Sequence, residues 1–140
     1  VGIKAQVQAL EAGQRVEKVE SHQDAATAPV RLYYTGWSSS TGAADWGLRP
    51  LFAGDKTPPS MYNISYYKNP TVDADIMKAL GTTDRAEKTK LYTEVQEEIW
   101  KDAPWAFLVT EKLLYATSKK LTGMYVMPDA NYFFEEIDLQ

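Results

Sequence analysis

Val30-Arg31-Leu32-Tyr33-Tyr34-Thr35-Gly36-Trp37-Ser38-Ser39-Ser40-Thr41-Gly42 is the stretch on which the reading of this chain turns. Its first six residues are mostly β-branched or aromatic, which suits a pleated surface, and Gly36 stops the run. The pattern predicts a strand over 30–36. Three serines and a threonine follow, and their hydroxyls compete with the neighbouring backbone for hydrogen bonds, while Gly42 tolerates positive φ. Residues 37–42 therefore read as a polar loop hung from the end of a strand.

Upstream lies the polar segment 21–29, which holds His22, the one histidine of the chain, in a stretch without apolar periodicity. A solvated loop residue is the expectation for it. Residues 12–20 form a short helix candidate, with Val16 and Val19 spaced for one buried face. Before that, Ile3, Ala5, Val7 and Ala9 alternate with Gly2, Lys4, Gln6 and Gln8, the period of a half-buried strand. A chain that opens on such a strand is expected to be cut from a longer one.

Downstream, Ala44 to Phe52 reads as a short helix broken by Pro50, and 53–69 as an ordered loop carrying Pro58, Pro59 and Asn63. Thr71 is expected to cap a helix with the stripe Val72, Ile76, Ala79 and Leu80, ended by Gly81. Thr83 or Asp84 starts the next, with Glu87 as capping-box partner and Leu91, Tyr92, Val95 and Ile99 at helical spacing until Pro104. Trp105 to Thr110 and Leu113 to Thr117 read as strands, followed by a turn at Gly123 and a tail containing Tyr132-Phe133-Phe134.

Composition narrows the function classes. The chain of 140 residues is 44% hydrophobic, enough for a core, and its net charge of −4 lacks the basic excess of a nucleic-acid binder. The absence of cysteine excludes disulfides, thiolate ligands and a cysteine nucleophile, and one histidine cannot make a multi-histidine metal site. No apolar run reaches the roughly 18 residues of a transmembrane helix. Glu94, Glu97 and Glu98 on one helix, with Glu135, Glu136 and Asp138 in the tail, admit a hydrolase using paired carboxylates. The plainer reading of the helical three is a solvated face opposite an apolar stripe.

The order of a strand ending Gly36-Trp37, the small polar loop, Ala44-Asp45-Trp46-Gly47-Leu48-Arg49-Pro50-Leu51-Phe52 and Tyr66-Tyr67-Lys68-Asn69-Pro70-Thr71-Val72-Asp73 resembles the peptide/nickel family of periplasmic solute-binding proteins. The likeness continues through Thr83 to Tyr92, Asp102-Ala103-Pro104-Trp105 and Leu121-Thr122-Gly123. It runs toward the glutathione-binding branch at Glu11-Ala12-Gly13-Gln14-Arg15, Thr35-Gly36-Trp37-Ser38 and Ser40-Thr41-Gly42. The resemblance implies an α/β fold, with a mixed sheet flanked by helices, in the C-terminal lobe of a two-lobe protein that closes on its ligand by a hinge. Residues 1–108 would lie in that second lobe, and 109–140 would run back toward a first lobe outside this chain. The implied role is periplasmic and non-catalytic, without cofactor or metal: capture of glutathione or a similar short peptide for an ABC permease. A di- or oligopeptide ligand is the alternative within the family. Separation from the first lobe would leave Tyr132, Phe133 and Phe134 as a patch able to drive self-association.

The resemblance also implies site residues. In peptide-binding members, the loop after Gly-Trp carries an aspartate that pairs with the ligand's α-ammonium, and counting from Trp37 that position is Ser40. A neutral hydroxyl there suits a γ-glutamyl end, whose ammonium and carboxylate share one carbon. Trp37 would supply a flat wall and an indole N–H, with a core tryptophan as the alternative. Ser38, Ser39 and Thr41 would line the cleft or merely close a turn. Arg15 stands where many relatives carry a tryptophan, and its planar fork would suit a carboxylate; otherwise it is a solvated helix arginine. Asp45 matches an acidic position that more often caps a helix than touches ligand.

Overall fold

The computed structural model describes residues 2, 4–127 and 129–140, and the fold is organised by two helices, Pro70–Gly81 and Arg85–Asp102. Ahead of them come α1 (Ala12–Arg15), which runs on as a π-helical turn at Val16–Glu20, and α2 (Ala44–Phe52). The two long helices are thus α3 and α4. Beyond them the elements among the described residues are β1 (Leu121–Thr122), β2 (Tyr125–Val126), β3 (Tyr132–Phe133) and β4 (Asp138–Leu139).

Helix α3 starts where Asn69 accepts from the Thr71 and Val72 amides, with Pro70 at a first-turn position that needs no N–H. The cap is therefore Asn69 and not Thr71, because Pro70 already has helical φ. Gly81 is inside the helix and Thr82 ends it. Asp84 caps α4 through the Glu87 amide at 2.7 Å. The Glu87 side chain does not reach back to close a capping box. It accepts from the Thr82 hydroxyl at 3.0 Å and pairs with Lys78 at 3.2 Å, and these two contacts, in that order, hold its carboxyl below the usual range. The residue thereby ties the end of α3 to the start of α4. Ala103 closes α4 in the left-handed conformation just ahead of Pro104.

The facing stripes make the core. Leu51, Phe52, Ala53, Val72, Ile76, Val95 and Ile99 form one buried cluster, and Ala79, Leu91 and Tyr92 a second. At about 1.5–3 kcal/mol for each large apolar side chain buried, this is the main favourable term. Two residues expected in the stripes stay outside: Leu80 on α3, and Val16, whose neighbour Val19 alone is buried.

Pro50 does not break α2, which continues to Phe52. A proline deprives the carbonyl four residues back of its helical donor, here Trp46, and that carbonyl accepts instead from the Trp37 indole N–H at 2.9 Å. Trp37→Phe is expected to cost about 1–2 kcal/mol by orphaning the carbonyl. Pro50→Ala restores a backbone donor, so it should cost about 1 kcal/mol less in the Trp37→Phe background than alone, as a double-mutant cycle of thermal melts would show.

Helices and small sheets are both present, but the mixed sheet flanked by helices is not formed among the described residues. The ladders are two separate antiparallel pairs, β1 with β4 and β2 with β3. The segments 30–36, 105–110 and 113–117, expected as strands, form no ladder. Strand propensity describes a surface that pairs well, and a strand exists only where a second backbone lies alongside. Residues 4–10 likewise form no ladder, while Val1 and Ile3 of that expected strand lie outside the described residues.

At the joint between the loop 53–69 and the helices, Asp102 accepts from the Tyr67 hydroxyl at 2.6 Å and from the Asn69 side-chain amide at 2.8 Å. Those bonds hold the Asp102 carboxyl below its usual range; burial first, and Asp102 second, push the Tyr67 phenol up to about 12. The stabilisation from a lowered carboxyl is present above its unfolded pKa and lost as pH falls through the folded value. That from a raised phenol is present below its unfolded pKa and lost as pH rises toward the folded value. Melts should therefore hold level from about pH 5 to 9 and fall beyond both ends. Tyr67→Phe should flatten the alkaline limb in part, since burial also raises Tyr66 and Tyr92.

Candidate functional site

Residues 37–39 of the hydroxyl loop line a groove of about 1210 Å³. Its lining includes residues 30–39 and 104–111, together with Leu51, Phe52 and Ile99. Neither 30–36 nor 105–111 makes a backbone–backbone hydrogen bond among the described residues. Two rows of amides and carbonyls are thus open to a bound group.

Trp37 is half-buried against the core, with Tyr62 at 5.1 Å and Trp46 at 6.1 Å between ring centroids. It packs on the core and also lines the groove. Its N–H, expected as a ligand donor, is committed to the Trp46 carbonyl. The turn itself is closed by the Gly42 amide on the Ser39 carbonyl at 3.1 Å, with Gly42 at φ 66°. The Ser39 hydroxyl donates to the Ala43 carbonyl at 2.9 Å, and the Thr41 hydroxyl accepts from the Ala43 amide at 3.3 Å. Ser38 and Ser39 line the groove with Trp37, whereas the exposed Ser40 and Thr41 are not part of its lining.

Two residues that sequence reading did not single out meet this turn from 91 positions away. The Ser38 hydroxyl donates to the Asp129 carbonyl at 3.2 Å, and the Asn131 side-chain amide reaches the Ser40 carbonyl at 3.4 Å. Asp129 lines the groove beside Ser38. No local pattern marks either residue, because both lie in a short tail turn whose position depends on packing.

Arg15 and Asp45 are not brought to the groove. Arg15 pairs with Glu20 at 2.8 Å, and the Tyr33 hydroxyl, then Glu20, raise its pKa. Asp45 does not cap α2, where Ala43 is the first residue outside; it takes Arg49 bidentately, at 2.8 and 2.7 Å, one helical turn along. The helical carboxylates are dispersed. Glu94 pairs with Lys90, Glu98 with Lys101, and Glu97 lies on an open face beside Trp100. No two of them oppose each other across a cleft. No group of three potential ligands for a metal ion occurs among the described residues, and no helix there is long and apolar enough to cross a membrane.

The groove thus combines part of the hydroxyl turn, the Trp37 ring and side chains of both charge signs. No family model matches the chain. Over 139 residues, 99% of its length, the chain is 58% identical to the glutathione-binding protein GsiB of Pectobacterium atrosepticum. Over all 140 residues it is 52% identical to the protein of that name from Escherichia coli K12, and 50% to that of Salmonella choleraesuis. The chain spans 27% of the length of each of these relatives.

Proposed function

We propose that this chain forms one wall of the ligand cleft of a periplasmic solute-binding protein that captures glutathione, or a similar short peptide, for an ABC permease. The observation that carries the reading is the groove beside the hydroxyl turn, lined by the Trp37 ring and by charges of both signs, Lys18 and Arg31 against Glu111 and Asp129. A zwitterionic peptide needs that mixture, together with the backbone donors and acceptors that unpaired extended segments supply. Similarity over the length of this chain to proteins named glutathione-binding supports glutathione as the ligand. Residues 1–108 belong in this reading to the second lobe, and 109–140 return toward the first. Trp37, Ser38 and Ser39 carry the contacts, with Ser40 and Thr41 shaping the turn. Arg15 and Asp45 join only through rearrangement on closure. The role is binding without catalysis, and the exposed Tyr132, Phe133 and Phe134 keep self-association of the isolated chain part of the proposal.

Ligand held between two lobes draws its affinity from both. Calorimetry with glutathione should therefore show the chain alone binding at least about 100-fold more weakly than a protein of the relatives' full length carrying it, since a loss of roughly 3 kcal/mol follows from removing half the contacts. Equal affinities would refute the shared cleft.

A further inference from the structure

We infer that residues 107–116 are a self-recognition segment, through which two copies of this chain pair as antiparallel strands about a two-fold axis. The inference concerns the 140-residue chain by itself and does not depend on the binding role. Every residue from Ala106 to Thr117 is exposed, and Leu108, Val109, Leu114 and Tyr115 each leave 60% or more of their surface open. Among the described residues, no backbone–backbone hydrogen bond involves this run, and neither proline nor glycine interrupts it. An apolar run with strand propensity and free amides and carbonyls is a template for a second strand.

The charge pattern selects a second copy as that strand. Glu111 and Lys112 stand at the centre of the run, and among the described residues neither belongs to an ion pair. Opposed residues of an antiparallel ladder project on the same face, so a pairing centred between the two sets Glu111 of each copy against Lys112 of the other. The same register sets Thr110 against Leu113, Val109 against Leu114 and Leu108 against Tyr115. Parallel in-register pairing would stack like charges instead, which is destabilising. An antiparallel ladder shifted by one residue opposes Glu111 to Glu111 or Lys112 to Lys112, and one shifted by two opposes both to uncharged residues. The charges thus fix direction and register together, while the apolar pairs supply the attraction. Each pair occurs twice, because a two-fold contact uses the same patch on both copies.

Static light scattering over a concentration series tests this on the chain. Wild type should pass from 15.8 kDa to twice that mass. Glu111→Lys and Lys112→Glu each oppose like charges at two places and should weaken dimerisation at least about tenfold. Carrying both substitutions restores opposite charges at both places and should recover the wild-type dimer. An equimolar mixture of the two single variants should form a mixed dimer that neither forms alone, and thermal melts check that folding is kept. Wild type that stays monomeric at about 1 mM, the scale of a negligible affinity, would overturn the segment. So would single variants that dimerise as wild type does, or a double variant as weak as the singles. A dimer that persists through every charge reversal and is lost in Phe134→Ser would overturn it too, by placing association in the aromatic tail.

Discussion

Asn63→Ala should destabilise the chain by about 3–5 kcal/mol, a large part of the roughly 5–15 kcal/mol available to a domain, and lower the melting temperature by about 10–15 °C. Asn63 is completely buried inside an irregular loop, the place where backbone groups most often lack partners. Its Nδ2 donates to the carbonyls of Ala53 at 3.0 Å and Tyr67 at 2.8 Å. Its Oδ1 accepts from the Tyr67 amide at 3.1 Å and the Ser65 hydroxyl at 3.0 Å. One amide thus satisfies both ends of the 53–67 loop and joins it to the end of α2, which carries the floor of the groove. Truncation leaves several polar groups buried without partners, and each costs about 1–3 kcal/mol. Asn63→Asp has the same shape but no donors, so it should be at least as damaging in thermal melts followed by circular dichroism. An Asp variant as stable as wild type would show that shape, and not hydrogen bonding, is what the site requires.

The second large effect is expected at Gly123, which sits at φ 74° between β1 and β2. A Cβ there would collide with the Glu136 carbonyl, and backbone on both sides leaves nothing free to yield. The left-handed conformation alone costs an alanine about 1–2 kcal/mol, before the clash is counted. Gly123→Ala should therefore open the tail locally, separating Leu121 and Thr122 from Leu139 and Asp138. Hydrogen exchange should rise at least about tenfold at the amides of β1 and β4, while α3 and α4 keep their protection. Because Asp129 and Asn131 lie in the same tail, their contacts to Ser38 and Ser40 should loosen with it. Unchanged protection in the tail would mean that Gly123 and Glu136 do not approach as described.

The difference between what was legible in the sequence and what was not follows the range of the interactions. Helices α3 and α4 were legible because each is specified within a turn or two: the Asp84 cap, the stripe of Leu91, Tyr92, Val95 and Ile99, and the stop at Pro104. The cap at Asn69 was displaced from the expected Thr71 only because Pro70 can itself occupy the first turn. The hydroxyl turn was also legible, being closed by bonds between Ser39, Thr41, Gly42 and Ala43 that span no more than four residues. The expected strands 30–36 and 105–110 were not decided by their residues, since a ladder requires a second backbone that no local pattern supplies.

By itself the sequence determined the helical core and the chemistry of the turn after Trp37, because short-range spacing and residue type specify both. Tertiary structure alone decided that the Trp37 N–H would serve the carbonyl freed by Pro50, that Asn63 would hold the 53–67 loop, and that Asp129 would meet Ser38. The Ser38–Asp129 contact spans 91 residues, the Trp37 bond nine and the Asn63 bonds four and ten; in each the partner is selected by packing and by the cost of an unpaired buried polar group, and no periodicity records it.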